Sequence, residues 1–213
     1  MDLSLEVPAF LRQHGRDGVA DHVERVAREA RRIALREGIN VAAAEAAAYL
    51  HDVSLVLPYD QMVAVAHCHR VEVLPEEAQV PALLHGKLSC IYAAERFGLT
   101  DPAVHVAMRC HTTLRSGAAP LDKVLFVADK LGWDPADAPY REGLAAALER
   151  SLDDAVRHFL AWAWAGRDRM PVIHPWFRAA CTEWLSPETK QQKPGAPAGR
   201  RSVGPGSPGA SGR

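Results

Sequence analysis

Apolar positions recur at helical spacing along most of the chain. Val19, Val23, Val26, Ala30, Ile33 and Ala34 form one stripe, with Asp21, Glu24, Arg25, Arg28, Glu29, Arg31 and Arg32 between them. Gly38 stops that helix and Asn40 can cap the next. Val41–Leu50 is Ala-rich and nearly all apolar, which predicts a central buried helix. Pro58 opens a short helix through Ala66, and Pro81–Phe97 predicts another, ended by Gly98. Thr100 or Asp101 caps the next, with Pro102 in its first turn, and it runs to about His111. Leu121–Leu131, a long helix after Pro139 through about Trp164, and Pro175–Leu185 complete the set. Sustained period-two alternation is absent. Val71–Leu74 and Val124–Val127 are short β-branched runs set between helical signals. The pattern predicts an all-α fold, a single helical domain over residues 1–185.

From Ser186 to Arg213 the chain turns to Pro, Gly, Ser and charge, with Val203 its sole large aliphatic residue. Such a stretch cannot bury enough apolar surface to offset the entropy of ordering, which predicts a disordered tail over 186–213. Arg200 and Arg201 there could contact an anion or simply be solvated. Twenty-five basic residues against 26 acidic leave a net charge of -1. That balance gives no global pull toward nucleic acid or anionic membrane. No apolar run reaches the roughly 18 residues of a membrane span. The N-terminus lacks the basic start and apolar stretch of a signal peptide. Cys68, Cys90, Cys110 and Cys181 form no CxxC pair, so reduced thiols and a cytoplasmic setting are expected.

The unusual component is histidine, ten residues of it. His51-Asp52 ends the apolar run AAAEAAAYLHD, where it is either a helix cap and turn or a polar pair that needs partners. His22 lies in the preceding helix. Asp129 follows VLFVA, and an acid there is costly to bury without a cation, unless Lys123 or Lys130 pairs with it. His85 follows PALL and His111 follows VHVAMRC. Singly, each reads as a core or capping residue. Together, His22, His51, Asp52 and Asp129 can supply four ligands to one divalent ion. His85 and His111 can supply a second, with Asp52 bridging. Imidazole and carboxylate ligands with open positions generate hydroxide near neutral pH, and a pair of ions can stabilise a phosphoryl displacement. The lack of thiolates in the set argues against a closed structural zinc site.

The order H…HD…H…H…D on a helical scaffold resembles the HD superfamily of metal-dependent phosphohydrolases. The closer resemblance is to its YqeK-like branch, the symmetrical diadenosine tetraphosphatases, or a sister group of it. DHVERVAREARRIA, AAYLHDVS, LLHGKLS and CHTTLRSGAAPLDKVLFVADKL carry it, with SLDDAVRHFL and VIHPWF, over about residues 15–185. The resemblance implies that His22, His51, Asp52, His85, His111 and Asp129 are metal ligands, with His51 and Asp52 at the catalytic core. It implies one or two divalent ions, iron first, with manganese, zinc and others sharing the donor set. Lys87, Thr112, Thr113, Arg115 and Lys130 lie beside those motifs and can contact phosphate, or serve as surface charges and caps. Two stretches depart from the branch. LGWDPADAPYREG replaces its Ile-Glu-Pro-like step, and VSLVLP after the HD pair lacks its lysine. Trp133 and Asp134 either line the pocket there or form a helix-ending turn.

Phe159, Trp162, Trp164, Trp176, Phe177 and Trp184 are expected to pack as a C-terminal core layer. Leu144–Leu160 has an apolar face that suits a homodimer or the domain's own core. His67, His69 and His105 are read as surface or capping residues. The expected function is a phosphohydrolase that uses metal-activated hydroxide on a nucleotide phosphoester or phosphoanhydride. Symmetrical hydrolysis of diadenosine tetraphosphate to ADP would be one form of it. The alternative is a non-catalytic or weakly catalytic metal- and nucleotide-binding regulatory module. The expected partner is a small nucleotide, with no specific nucleic acid and no membrane.

Overall fold

The stripe that starts at Val19 forms a helix of 21 residues, α2 (Asp17–Glu37), preceded by α1 (Leu3–Gln13). The computed structural model describes residues 2–133 and 138–186. Asp134 and residues 187–213, nearly all of the expected tail, lie outside them. Gly38 closes α2 with φ +67°, a left-handed position that costs glycine nothing. The Asn40 side chain accepts the Ala43 N–H at 3.1 Å and starts α3 (Val41–Leu50). After α4 (Met62–Cys68) and α5 (Pro75–Gln79) come α6 (His85–Phe97), α7 (Pro102–Cys110) and α8 (Pro120–Gly132). Asp101, not Thr100, caps α7 by accepting the Ala103 N–H at 2.8 Å. Among the described residues there is no strand.

The expected long helix after Pro139 is two helices, α9 (Arg141–Arg150) and α10 (Leu152–Ala165). Ser151 between them is extended, and its side chain accepts the Asp154 N–H at 3.0 Å. A serine followed by Asp153 and Asp154 is an N-terminal signal, and here it overrides the continuous apolar pattern. Pro81–Leu84 and Tyr59–Gln61 are 3-10 turns that lead into α6 and α4 rather than their first turns. The apolar face over 144–160 serves the domain's own core. Leu144, Leu148, Leu152, Val156 and Leu160 are all buried. The chain closes with α11 (Pro175–Leu185).

Helix α2 packs between α3 and α8. Val23, Val26, Ala30 and Ile33 meet Ala44, Ala47 and Ala48 in one continuous core. The small residues of α3 let its backbone approach α2 closely, so the C-terminal end of α3 comes up against α2 and α8. None of the described helices is long and apolar enough to cross a membrane.

Candidate metal centre

Five elements end at one place. His22 projects from α2, His51 and Asp52 from the end of α3, and His85 from the start of α6. His111 caps α7, and Asp129 lies in α8. All except His85 are buried, His51 completely. A folded chain gathers four imidazoles and two carboxylates away from water only where the charges compensate.

Two glycines permit the approach. A Cβ at Gly86 would lie 2.7 Å from the Met108 carbonyl oxygen and 3.4 Å from His111 Nδ1. A Cβ at Gly132 would lie 2.6 Å from Val26 Cγ2 and 3.1 Å from the Val26 nitrogen. Gly86 therefore brings α6 onto the end of α7, and Gly132 brings α8 onto α2. Gly86→Ala should part His85 from His111, and Gly132→Ala should part Asp129 from His22. Overpacking of this kind costs about 1–3 kcal/mol. We expect each variant to bind metal at least about 10-fold more weakly, at different positions, since lost support around a metal ligand carries that penalty. Isothermal titration with manganese or zinc reads the affinity, and parental affinity in both would show that the helices yield elsewhere.

The backbone fixes the imidazole tautomers. Nδ1 of His51, His85 and His111 faces the carbonyl oxygens of Ala48, Ala82 and Met108 at 2.7, 2.5 and 2.7 Å. Nδ1 of His22 faces the Gly132 carbonyl at 3.4 Å. A carbonyl only accepts, so each Nδ1 carries a proton, and in the neutral ring Nε2 holds the lone pair. Those Nε2 atoms meet in pairs, His22 with His51 at 3.2 Å and His85 with His111 at 3.0 Å. Facing lone pairs repel unless a cation lies among them.

Asp52 joins the pairs. Its Oδ2 lies 3.4 Å from His51 Nε2 and 3.6 Å from His22 Nε2. Its Oδ1 lies 3.3 Å from His85 Nε2 and 3.6 Å from His111 Nε2, and is buried with no hydrogen-bond partner. Asp129 Oδ1 lies 3.1 Å from His22 Nε2 and 3.6 Å from His51 Nε2. His22, His51 and Asp129 offer ligand atoms within 4.8 Å of one another, as do His51, Asp52 and His111. The orphaned Oδ1 and the converging nitrogens fit divalent ions. By these distances His22, His51, Asp129 and Asp52 Oδ2 could hold one ion, and His85, His111 and Asp52 Oδ1 would be the donors for a second.

Ionisation follows the same logic. Burial opposes charge on His51, but Asp52 and Asp129 outweigh it and push its pKa up to about 10. Burial, with His51 and His85 nearby, holds His111 well below the usual imidazole range. Burial would raise Asp52, yet His51, His85 and His111 keep it below the carboxylate range. Burial likewise opposes ionisation of Asp129, and Lys130 with His22 and His51 prevails. Both carboxylates are therefore anionic, and the positive charge they demand comes from a proton on His51 or from a metal in its place.

The cluster opens on a cavity of about 520 Å³. Thr112 stands at its edge, with Oγ1 3.1 Å from His111 Nε2 and 3.3 Å from His85 Nε2. Thr113 also lines the cavity, but its hydroxyl donates to the Leu114 carbonyl at 2.8 Å. Lys130 reaches the wall with Nζ donating to Asp129 Oδ2 at 2.6 Å and to the His111 carbonyl at 2.8 Å. Lys87 and Arg115, expected to contact phosphate, do not line the cavity. Lys87 Nζ donates to Glu77 Oε2 at 2.8 Å, and Arg115 pairs with the buried Asp122, also at 2.8 Å. Trp133 lines the cavity with its ring 5.7 Å from that of His22, while Asp134 lies outside the described residues. Of the expected aromatic core layer, Phe159, Trp162 and Phe177 also form cavity wall, and Trp162 is 42% exposed. His69 and His105 sit apart, beside Glu95 and the Leu99 carbonyl, and His67 is exposed.

Sequence reasoning gave no role to His174 or Glu77. His174 Nδ1 accepts the Trp176 N–H, so its Nε2 carries the proton and faces Glu77 Oε1 at 3.4 Å. The motif VIHPWF marked the place, but the partner lies 97 residues away.

Comparison with known proteins agrees with this arrangement. The HD domain family matches residues 19–134, a span that contains all six clustered residues. An uncharacterised protein encoded in the pepC 5′ region of Lactococcus lactis subsp. cremoris is 37% identical over 147 residues, covering 68% of this chain and 74% of that protein. A crystal structure from Clostridium acetobutylicum, of a predicted HD superfamily hydrolase involved in NAD metabolism, superposes with a TM-score of 0.78 at 22% identity. The match covers 84% of this chain and 95% of that one, a likeness of fold. With more than half of its length matched, and the cluster inside the match, the chain belongs to the HD domain family.

Proposed function

We propose that the protein is a metal-dependent phosphohydrolase that acts on a nucleotide phosphoester or phosphoanhydride. The observation that carries this reading is the set of four Nε2 atoms converging on the two oxygens of Asp52, whose Oδ1 has no hydrogen-bond partner, beside a ligand-sized cavity. Divalent ions held there would lower the pKa of water and neutralise charge on phosphate oxygens. The chain's own groups serve that chemistry. Asp52 ties the two halves of the cluster together, and His51 adjusts its proton to the charge present. Lys130 holds Asp129 in place, and the Thr112 hydroxyl is positioned to meet a phosphate oxygen. Imidazole and carboxylate donors suit iron, manganese and zinc alike, and iron comes first by resemblance. Symmetrical cleavage of diadenosine tetraphosphate rests on that resemblance too. A cytoplasmic location accords with the four free cysteines.

The test is product chromatography on protein purified without a metal-affinity tag and reconstituted with iron, manganese or zinc. The panel holds diadenosine tetraphosphate, nucleoside mono-, di- and triphosphates, and inorganic phosphates. Metal-dependent release of phosphate or nucleotide, abolished by chelator, is expected. Stoichiometric metal uptake with no product from any substrate would make the protein a binding module instead.

A further inference from the structure

Resting on the phosphohydrolase reading, we infer that the substrate is a phosphomonoester, with one phosphoryl group on a planar aromatic body such as a nucleoside, and that longer phosphate chains are disfavoured.

The cavity concentrates its charge at one end. Beyond the cluster, Lys130 is the one lysine or arginine on the wall among the described residues. Its three protons are committed, to Asp129 Oδ2, to the His111 carbonyl, and toward the Phe126 and Phe159 rings at 4.8 and 5.6 Å. Lys87 and Arg115 face Glu77 and Asp122. Two divalent ions less the charges of Asp52 and Asp129 leave about two positive charges, or about three with Lys130. A phosphomonoester carries about −1.5 to −2 at neutral pH, which such a floor can balance. For a second or third phosphoryl group the rest of the described lining, which includes Leu55, Leu83 and Met170, offers no lysine or arginine. Moving that charge out of water without a partner is costly.

The same wall suits a ring. Tyr140, Phe159 and Trp162 form one aromatic cluster with centroids 4.7 to 5.6 Å apart. Trp162 is 42% exposed and Trp133 is 52% exposed, both on this cavity. Large aromatic surfaces left open beside a charged floor match a ligand that is anionic at one end and flat at the other.

The experiment compares kcat/KM of the metal-loaded protein for AMP, ATP, diadenosine tetraphosphate and glycerol phosphate. AMP should exceed each of the other three by at least about 10-fold, the scale of one lost base–aromatic stack in the case of glycerol phosphate. Trp162→Ala should erase most of the preference over glycerol phosphate, chiefly through KM, and Trp162→Phe, which keeps a planar ring, should restore it. Adenosine alone should quench tryptophan fluorescence in metal-loaded and metal-depleted protein alike, and less in Trp162→Ala. Equal or better turnover of ATP or diadenosine tetraphosphate would overturn this inference and leave the phosphohydrolase standing. An intact preference for AMP over glycerol phosphate in Trp162→Ala would overturn the aromatic half. No turnover of any phosphate compound would remove the phosphohydrolase reading, and this inference with it.

Discussion

Asp52→Asn is expected to empty the centre. The amide keeps the shape of the side chain but loses its negative charge and one of its two acceptor oxygens. Oδ2 faces His22 and His51, and Oδ1 faces His85 and His111, so one substitution acts on both halves of the cluster. Loss of supporting contacts around a metal ligand commonly costs 10- to 100-fold in affinity, and loss of a shared ligand should cost at least the upper figure. Elemental analysis should therefore find less than about a tenth of the parental metal, and metal-dependent turnover should fall at least as far. Changes at the two ends should divide the effect. His85→Ala or His111→Ala should lower one ion's occupancy and spare the other, whereas His51→Ala should deplete both, because it adjoins Asp52 and faces His22 and Asp129. If Asp52→Asn retains its full metal content, the cluster is a buried charge network rather than a metal centre. If His85→Ala and His111→Ala keep parental metal and turnover, the centre holds one ion at most.

His51, Asp52, His85 and Asp129 were legible because they follow apolar runs, whereas His22 and His111 lie in mixed stretches and stood out only by their order with the others. A stripe like that of α2, and caps like Asn40 and Gly38, depend on neighbours a few positions away, so local pattern suffices for them. The break at Ser151 was also written locally, in the acidic residues that follow the serine, but the apolar positions on either side continue without a phase change and hid it. Direction was not legible from adjacency. Lys87 stands two positions from His85 on the same helix, about 200° around its axis, so it leaves the site on the opposite face. Arg115 follows Leu114, whose φ of +57° turns the chain away from His111. The cavity's aromatic wall was beyond reach for another reason. Trp133, Tyr140 and Trp162 belong to three separate segments, and only the packing of α8 to α10 shows that their open faces share one space with the metal cluster.

Lys87→Met should destabilise the protein by about 3–5 kcal/mol, the usual cost of stranding one member of a buried ion pair. Glu77 is 1% exposed, and its Oε2 takes the Lys87 ammonium at 2.8 Å while its Oε1 faces His174. Burial would raise the Glu77 pKa, but His174, the Leu74 N–H and Lys87 together hold it below the ordinary carboxylate value. A carboxyl depressed on folding adds stability above its unfolded pKa, and that stability is lost as the pH falls through the folded value. In Lys87→Met the ammonium is gone while burial and the His174 and Leu74 contacts remain, so the same pKa should rise from its parental position, and Glu77 takes up a proton at a higher pH than in the parent. The stability gap between parent and variant should therefore be widest near neutrality and narrow as the pH approaches about 4.5. Denaturant unfolding at several pH values reads the gap. The double variant Lys87→Met, Glu77→Gln should recover much of the loss at pH 7, because it removes both charges. Metal content per folded molecule should stay parental throughout. A lysine that held substrate phosphate would behave in the opposite way, with stability little changed, KM raised, and no recovery when Glu77 is neutralised.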